Sequence, residues 1–243
     1  MLNTCTFVLL MGEEHPVGRQ MFTDLESLGF VPTVIIQEKS PFSHKKRSAY
    51  ELASRNIPRL IGTAAKAAGV PVHFVENINN EKSVALIKAI QPDLILLGNT
   101  RLIKPEIFNL AKSGCLNVHP GVLPQVRGSY PVVWSLHHGQ PLGCTLHFID
   151  EGIDTGRLVK ISKIQIDATD TLESLIEKTI YMSSDLFVLA MRMFAEGTLV
   201  ANEQDLSVGN CYTWPDAKII DSAKRKLSAI TARILATAHV IRA

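Results

Sequence analysis

In LNVHPGVLPQVRG (116–128), Asn117 and His119 occupy alternate positions of an apolar run. If that run is a strand, both side chains leave it on the same face. Burying an amide and an imidazole costs free energy unless something bonds them. Asp154 lies further along, in the glycine-flanked turn EGIDTG (151–156). The three residues would supply an amide donor, an imidazole near its titration range and a carboxylate. A carbonyl under attack by an amine needs a donor for its developing oxyanion and a group to take the amine's proton. Asn117, His119 and Asp154 meet both needs without a covalent intermediate. On spacing alone, an N-x-H pair is more often a satisfied core pair. Arg127 reads either as an anion contact or as a solvated loop arginine, and Gly128 as a tight turn.

Placing these residues is the task of alternating short apolar and longer amphipathic runs. CTFVLLMG (5–12), VPTVIIQEK (31–39), VPVHFV (70–75), PDLILLGN (92–99) and CLNVHPG (115–121) read as strands. Helices are expected at 18–29, 43–56, 58–69, 81–90 and 104–114. This rhythm predicts an α/β fold, a doubly wound and mostly parallel sheet buried on both faces. Ligands bind such sheets beyond the carboxyl ends of the strands, where His119 falls. Beyond Gly128 the sequence predicts a helix at 131–139 and strands at 143–150 and 157–166. A long helix should follow from Thr171 to Ala195, capped by Thr169 or Asp170. Residues 197–215 read as a linker or small hairpin. Ile220, Ala223, Leu227, Ile230, Ile234 and Ile241 then form a near-heptad seam. That seam packs on the chain's own body or offers a surface for a homodimer. The division expected is 1–197 as a catalytic domain, with 198–243 as a linker and a short, mainly helical extension.

The 243 residues carry a formal net charge of +2, too balanced to argue for a polyanionic partner. The four cysteines show no C-x-x-C pairing or zinc spacing, so reduced structural thiols in a cytoplasmic protein are expected. Adjacent His137 and His138 cannot share one helix face, which argues against a metal there. No run approaches the roughly 20 apolar residues of a membrane span. MGEEHPVG after the first strand lacks the dinucleotide-binding glycines, and neither a phosphate-loop motif nor a serine elbow occurs. The basic run HKKR (44–47) is an exposed helix end or a phosphate contact.

NVHPGVLPQVRG, followed by GCTLHFIDEGIDTGRLV, resembles the folate-dependent formyltransferase family. That family carries N-x-H-x-S-x-L-P-x-x-x-G and a downstream aspartate turn. The similarity runs from about residue 90 to 197, more loosely from residue 5. It implies a Rossmann-like formyltransferase fold. It also implies transfer of a formyl group from 10-formyltetrahydrofolate to a small-molecule amine, by direct attack through a tetrahedral intermediate. An amino sugar nucleotide is the first acceptor expected and an amino-acid-derived amine the second. By carry-over, Asn117 holds the formyl oxygen, while His119 acts with Asp154 in proton transfer and steadies the intermediate. NTRLIKPEIF (99–108) resembles the family's pterin loop, which assigns Arg101, Leu102 and Ile103 to the co-substrate. Asp150, Glu151, Gly152 and Ile153 form the pocket's other wall, and Arg127 and Gly128 meet the acceptor. No metal is implied. The tRNA enzymes' C-terminal barrel has no counterpart in the sequence, so no nucleic-acid partner and no membrane are expected. A formyltetrahydrofolate hydrolase and a non-catalytic folate-binding module are the alternatives. One departure stands out: Gly121 replaces the signature serine.

Overall fold

A computed structural model describes residues 5–39 and 60–241. The expected helix at 43–56 and the HKKR run lie outside the described residues. The elements are β1 (Phe7–Gly12), α1 (Pro16–Ser27), β2 (Val34–Glu38), α2 (Ile61–Ala67), β3 (Val72–Val75), α3 (Glu81–Ile90), β4 (Leu94–Gly98) and α4 (Pro105–Phe108). There follow β5 (Cys115–His119), β6 (Val126–Gly128), α5 (Pro131–His138), β7 (Leu142–Phe148), β8 (Leu158–Ile164), α6 (Leu172–Ala195), β9 (Asn210–Tyr212) and α7 (Ala217–Ile241).

β1 and β4 are apolar along nearly their whole length, and β2 over Val34–Ile36, because helices cover both faces of the sheet. Phe7, Leu9 and Met11 join a core with Met21 and Phe22 of α1 and Phe187 of α6. The alternate residues Val8 and Leu10 face the other side, with Ile87 of α3 and Ile107 of α4. Each such side chain withdrawn from water contributes about 1.5–3 kcal/mol. The sheet order is β3-β2-β1-β4-β5-β7-β8. The first five strands in this order run parallel, and β7 and β8 are antiparallel additions. The chain winds outward from β1 to β3, then returns to β4 on the other side of β1. In doubly wound sheets the carboxyl ends of the strands at such a reversal are the usual place for a ligand.

Three local expectations change. The helix expected over 104–114 ends at Phe108, because the backbone N–H groups of Lys112 and Ser113 bond Pro92 and Asp93 instead. The α6 cap is Thr171, in a reciprocal box with Ser174. Residues 197–215 form neither a plain linker nor a hairpin. Asn202 pairs with Leu158 by two backbone bonds of 2.7 and 2.8 Å, and β9 lies parallel to the short strand β6. Ala223 and Leu227 of α7 are buried with Val132, Val133 and Leu136 of α5, so the first half of the seam packs on the body. Among the described residues no helix is long and apolar enough to cross a membrane.

Candidate active site

β5 sets Asn117 and His119 on one face, and β7 pairs Asn117 with His147 and His119 with Thr145. The turn after β7 folds back over this face and brings Asp154 to both histidines. His119 Nδ1 stands 3.3 Å from Asp154 Oδ2, and His147 Nε2 stands 3.7 Å from Asp154 Oδ1. The backbone N–H of Gly128 donates to Asp154 Oδ2 at 2.8 Å. The other ring nitrogen of His119 lies 2.7 Å from the Val126 carbonyl oxygen. Both nitrogens of His119 therefore face oxygens. His119 is buried, whereas the Asp154 side chain is 14% exposed and Asn117 is half-buried.

His147 was not among the residues picked out from sequence. Its Nδ1 is 2.8 Å from the Phe148 carbonyl, so that nitrogen carries the proton and donates. Its Nε2 is left to accept from Asn117 Nδ2 at 3.1 Å. Burial pushes the His147 imidazole down to about 4; the Asp154 carboxylate pulls the other way without offsetting that loss of solvation. His147 thus stays neutral at ordinary pH and holds the Asn117 amide by its nitrogen. The signal was present in GCTLHFID, where Thr145 and His147 alternate as Asn117 and His119 do.

Gly121 shows why serine is missing. A Cβ there would lie 2.7 Å from His119 Nε2 and 2.8 Å from the Pro131 Cβ. Gly128, at φ 93°, has the Tyr212 carbonyl oxygen where a Cβ would stand, so only glycine lets β6 and β9 approach. Arg127 lies opposite Cys211 in that small sheet, and its Nη1 is buried without a hydrogen-bond partner among the described residues.

The pterin-loop residues stand apart from the three central side chains. Arg101 bonds Glu38 at 2.8 Å, and Glu38 in turn accepts from the Ile78 N–H. Leu102 is 67% exposed, and Ile103 is buried in the core beneath the sheet, where Ile149 also packs. Asp150 accepts from Thr155 and from the Gly152 N–H, which shapes the turn; Glu151, Gly152 and Ile153 are exposed. A groove of about 480 Å³ at the amino end of β5 includes Asp150 but none of Asn117, His119 and Asp154. No group of three or more His, Cys, Asp or Glu side chains among the described residues is placed to hold a metal.

An amide, two imidazoles and a carboxylate thus meet at the carboxyl end of β5 in a doubly wound sheet. The formyl transferase family model matches residues 42–191, and the chain belongs to that family. A methionyl-tRNA formyltransferase from Chlorobium chlorochromatii is 29% identical over 167 residues, covering 68% of this chain and 52% of that protein. Its counterpart from Anaeromyxobacter dehalogenans is 34% identical over 143 residues, 58% of this chain and 46% of that one. The chain therefore spans about half the length of the curated relatives it matches. Their names run against the exclusion of a nucleic-acid partner made from the sequence.

Solved structures share the fold at lower identity. A glycinamide ribonucleotide transformylase from Symbiobacterium toebii aligns with a TM-score of 0.63 at 24% identity, over 83% of this chain and 94% of that one. A formyltransferase from Anoxybacillus kamchatkensis, solved with a UDP-linked formamido sugar and tetrahydrofolate, aligns at 0.60 and 21% identity, over 91% and 97%.

Proposed function

We propose that the chain transfers a formyl group from 10-formyltetrahydrofolate to the amine of a small molecule, with an amino sugar nucleotide as the first choice and an amino-acid-derived amine as the second. The observation that carries this reading is the convergence of Asn117, His119 and Asp154 in a chain of the formyl transferase family. The donor, when bound, supplies an activated formyl carbon as the electrophile. Leu102 and Ile153 offer exposed apolar surface to a pterin, on loops joined through the packing of Ile103 and Ile149. Backbone groups of 101–103 and 150–153 would bond the ring edges.

Asn117 has a second amide N–H besides the one facing His147, and donates it to the formyl oxygen as negative charge grows there. His119, held between Val126 and Asp154, keeps its ring beside that oxygen. As the new C–N bond forms, the partly exposed Asp154 takes the amine's proton, directly or through a water. The proton then passes to the departing folate nitrogen as the old C–N bond breaks. Arg127, with its unpartnered Nη1, would meet an acceptor phosphate, and Gly128 keeps Asp154 in place behind it.

A nucleotide-linked acceptor is supported by how fully sugar N-formyltransferase structures overlap this chain: one from Shewanella covers 91% of it and 87% of itself. Methionyl-tRNA is the competing acceptor, favoured by the sequence relatives. Incubation with 10-formyltetrahydrofolate and a panel of nucleotide amino sugars, amino-acid amines and methionyl-tRNA, followed by tetrahydrofolate release, separates them. Release that depends on an amino sugar is expected. Release only with methionyl-tRNA overturns the small-molecule acceptor in favour of the tRNA. Equal release without any amine makes the chain a hydrolase, and binding without release makes it a folate-binding module.

A further inference from the structure

Asp154 adopts φ 55°, a left-handed conformation uncommon outside glycine. Something must hold it there, and one side chain does. Gln204 Nε2 donates to the carbonyl of Asp154 at 3.0 Å and to that of Gly156 at 2.6 Å. An amide nitrogen has two protons, so both are spent on this turn. Gln204 is half-buried, and its Oε1 is buried without a partner among the described residues. It also lies beyond the stretch that the family model matches, 42–191.

The same downstream segment supports the aspartate from its other end. Its Asn202 pairs with Leu158, directly after the turn, and its β9 pairs with β6. β6 carries the Gly128 N–H that bonds the Asp154 carboxylate and the Val126 carbonyl that meets His119. Backbone and carboxylate of Asp154 are thus held separately, both through residues 202–212.

We infer that Gln204 is a positioning residue, holding the Asp154 turn so that its carboxylate lies on His119 and Gly128. Without it the turn relaxes out of the left-handed region and the carboxylate swings away. The kinetic part of this inference rests on the formyl-transfer reading; the geometric part does not.

Gln204→Ala tests it, with Gln204→Met as the variant that keeps length and apolar bulk while removing both donors. Amide hydrogen exchange of Gly128 should speed up at least about tenfold in either variant, while Leu96 in the central sheet keeps its protection. The kcat for formyl transfer should fall at least about tenfold, with KM for the formyl donor within about threefold of wild type. If the alanine variant does not fold, the methionine variant decides. Unchanged Gly128 protection overturns the inference, as does a raised KM at constant kcat. If wild type transfers no formyl group to any acceptor, the function proposed above fails, and the Gly128 amide still decides this one.

Discussion

His119 is held between a carboxylate and a backbone carbonyl: Asp154 Oδ2 lies 3.3 Å from Nδ1 and Val126 O lies 2.7 Å from Nε2. The ring has no free edge on which to turn, and its orientation depends on the charge of Asp154. Asp154→Asn keeps the shape and can still accept from Gly128, but it removes that charge. The expected result is a kcat at least about 100-fold lower, with KM for the formyl donor changed less than about threefold. A variant that keeps kcat within a few-fold of wild type would remove Asp154 from the chemistry.

His147 makes stability depend on pH. Folding buries its ring and lowers its pKa from 6.5 to about 4, so between those values the unfolded chain binds more protons than the folded one. The contribution of the neutral ring is complete above pH 6.5 and is lost as the pH falls toward 4. At about 1.4 kcal/mol per pKa unit, the loss reaches about 3 kcal/mol. Urea unfolding midpoints measured down this range should fall in wild type, and His147→Gln should flatten the slope. Equal slopes in the two proteins would show that His147 is not held neutral by burial.

Gly121 and His119 share one small space. Restoring the serine of the family signature puts a Cβ 2.7 Å from the ring nitrogen that bonds Val126, and 2.8 Å from Pro131 at the start of α5. Gly121→Ser must displace one of them. A stability loss of about 1–3 kcal/mol is expected from the overpacking, together with a lower kcat. Thermal unfolding and kinetics on the same preparation check both. An unaltered melting temperature with unaltered kcat would mean that the neighbours give way at no cost.

The centre of the sheet was legible because β1, β2 and β4 are buried on both sides: FVLLM, VII and LILL carry no polar interruption, and the runs show it. Boundaries failed where distant backbone outcompeted local propensity, as at Lys112 and Ser113, whose N–H groups bond Pro92 and Asp93. The pairing of β6 with β9 has no local sequence signal for a related reason. Three residues such as Val126–Gly128 carry no period of their own, and become a strand only when Asn210–Tyr212 lies beside them.

At the site, alternation on one strand put Asn117 and His119 on a shared face, and the family resemblance added Asp154 in its glycine-flanked turn and gave all three their roles. Sequence could state which groups were available and which of them shared a face, since that follows from a period of two. Only the folded chain decided that His147 pairs with Asn117, that Val126 and Asp154 fix the two ends of His119, and that Gln204 secures the turn. These contacts join residues far apart in the chain, and cross-strand register and loop return are set by the packing of the whole sheet.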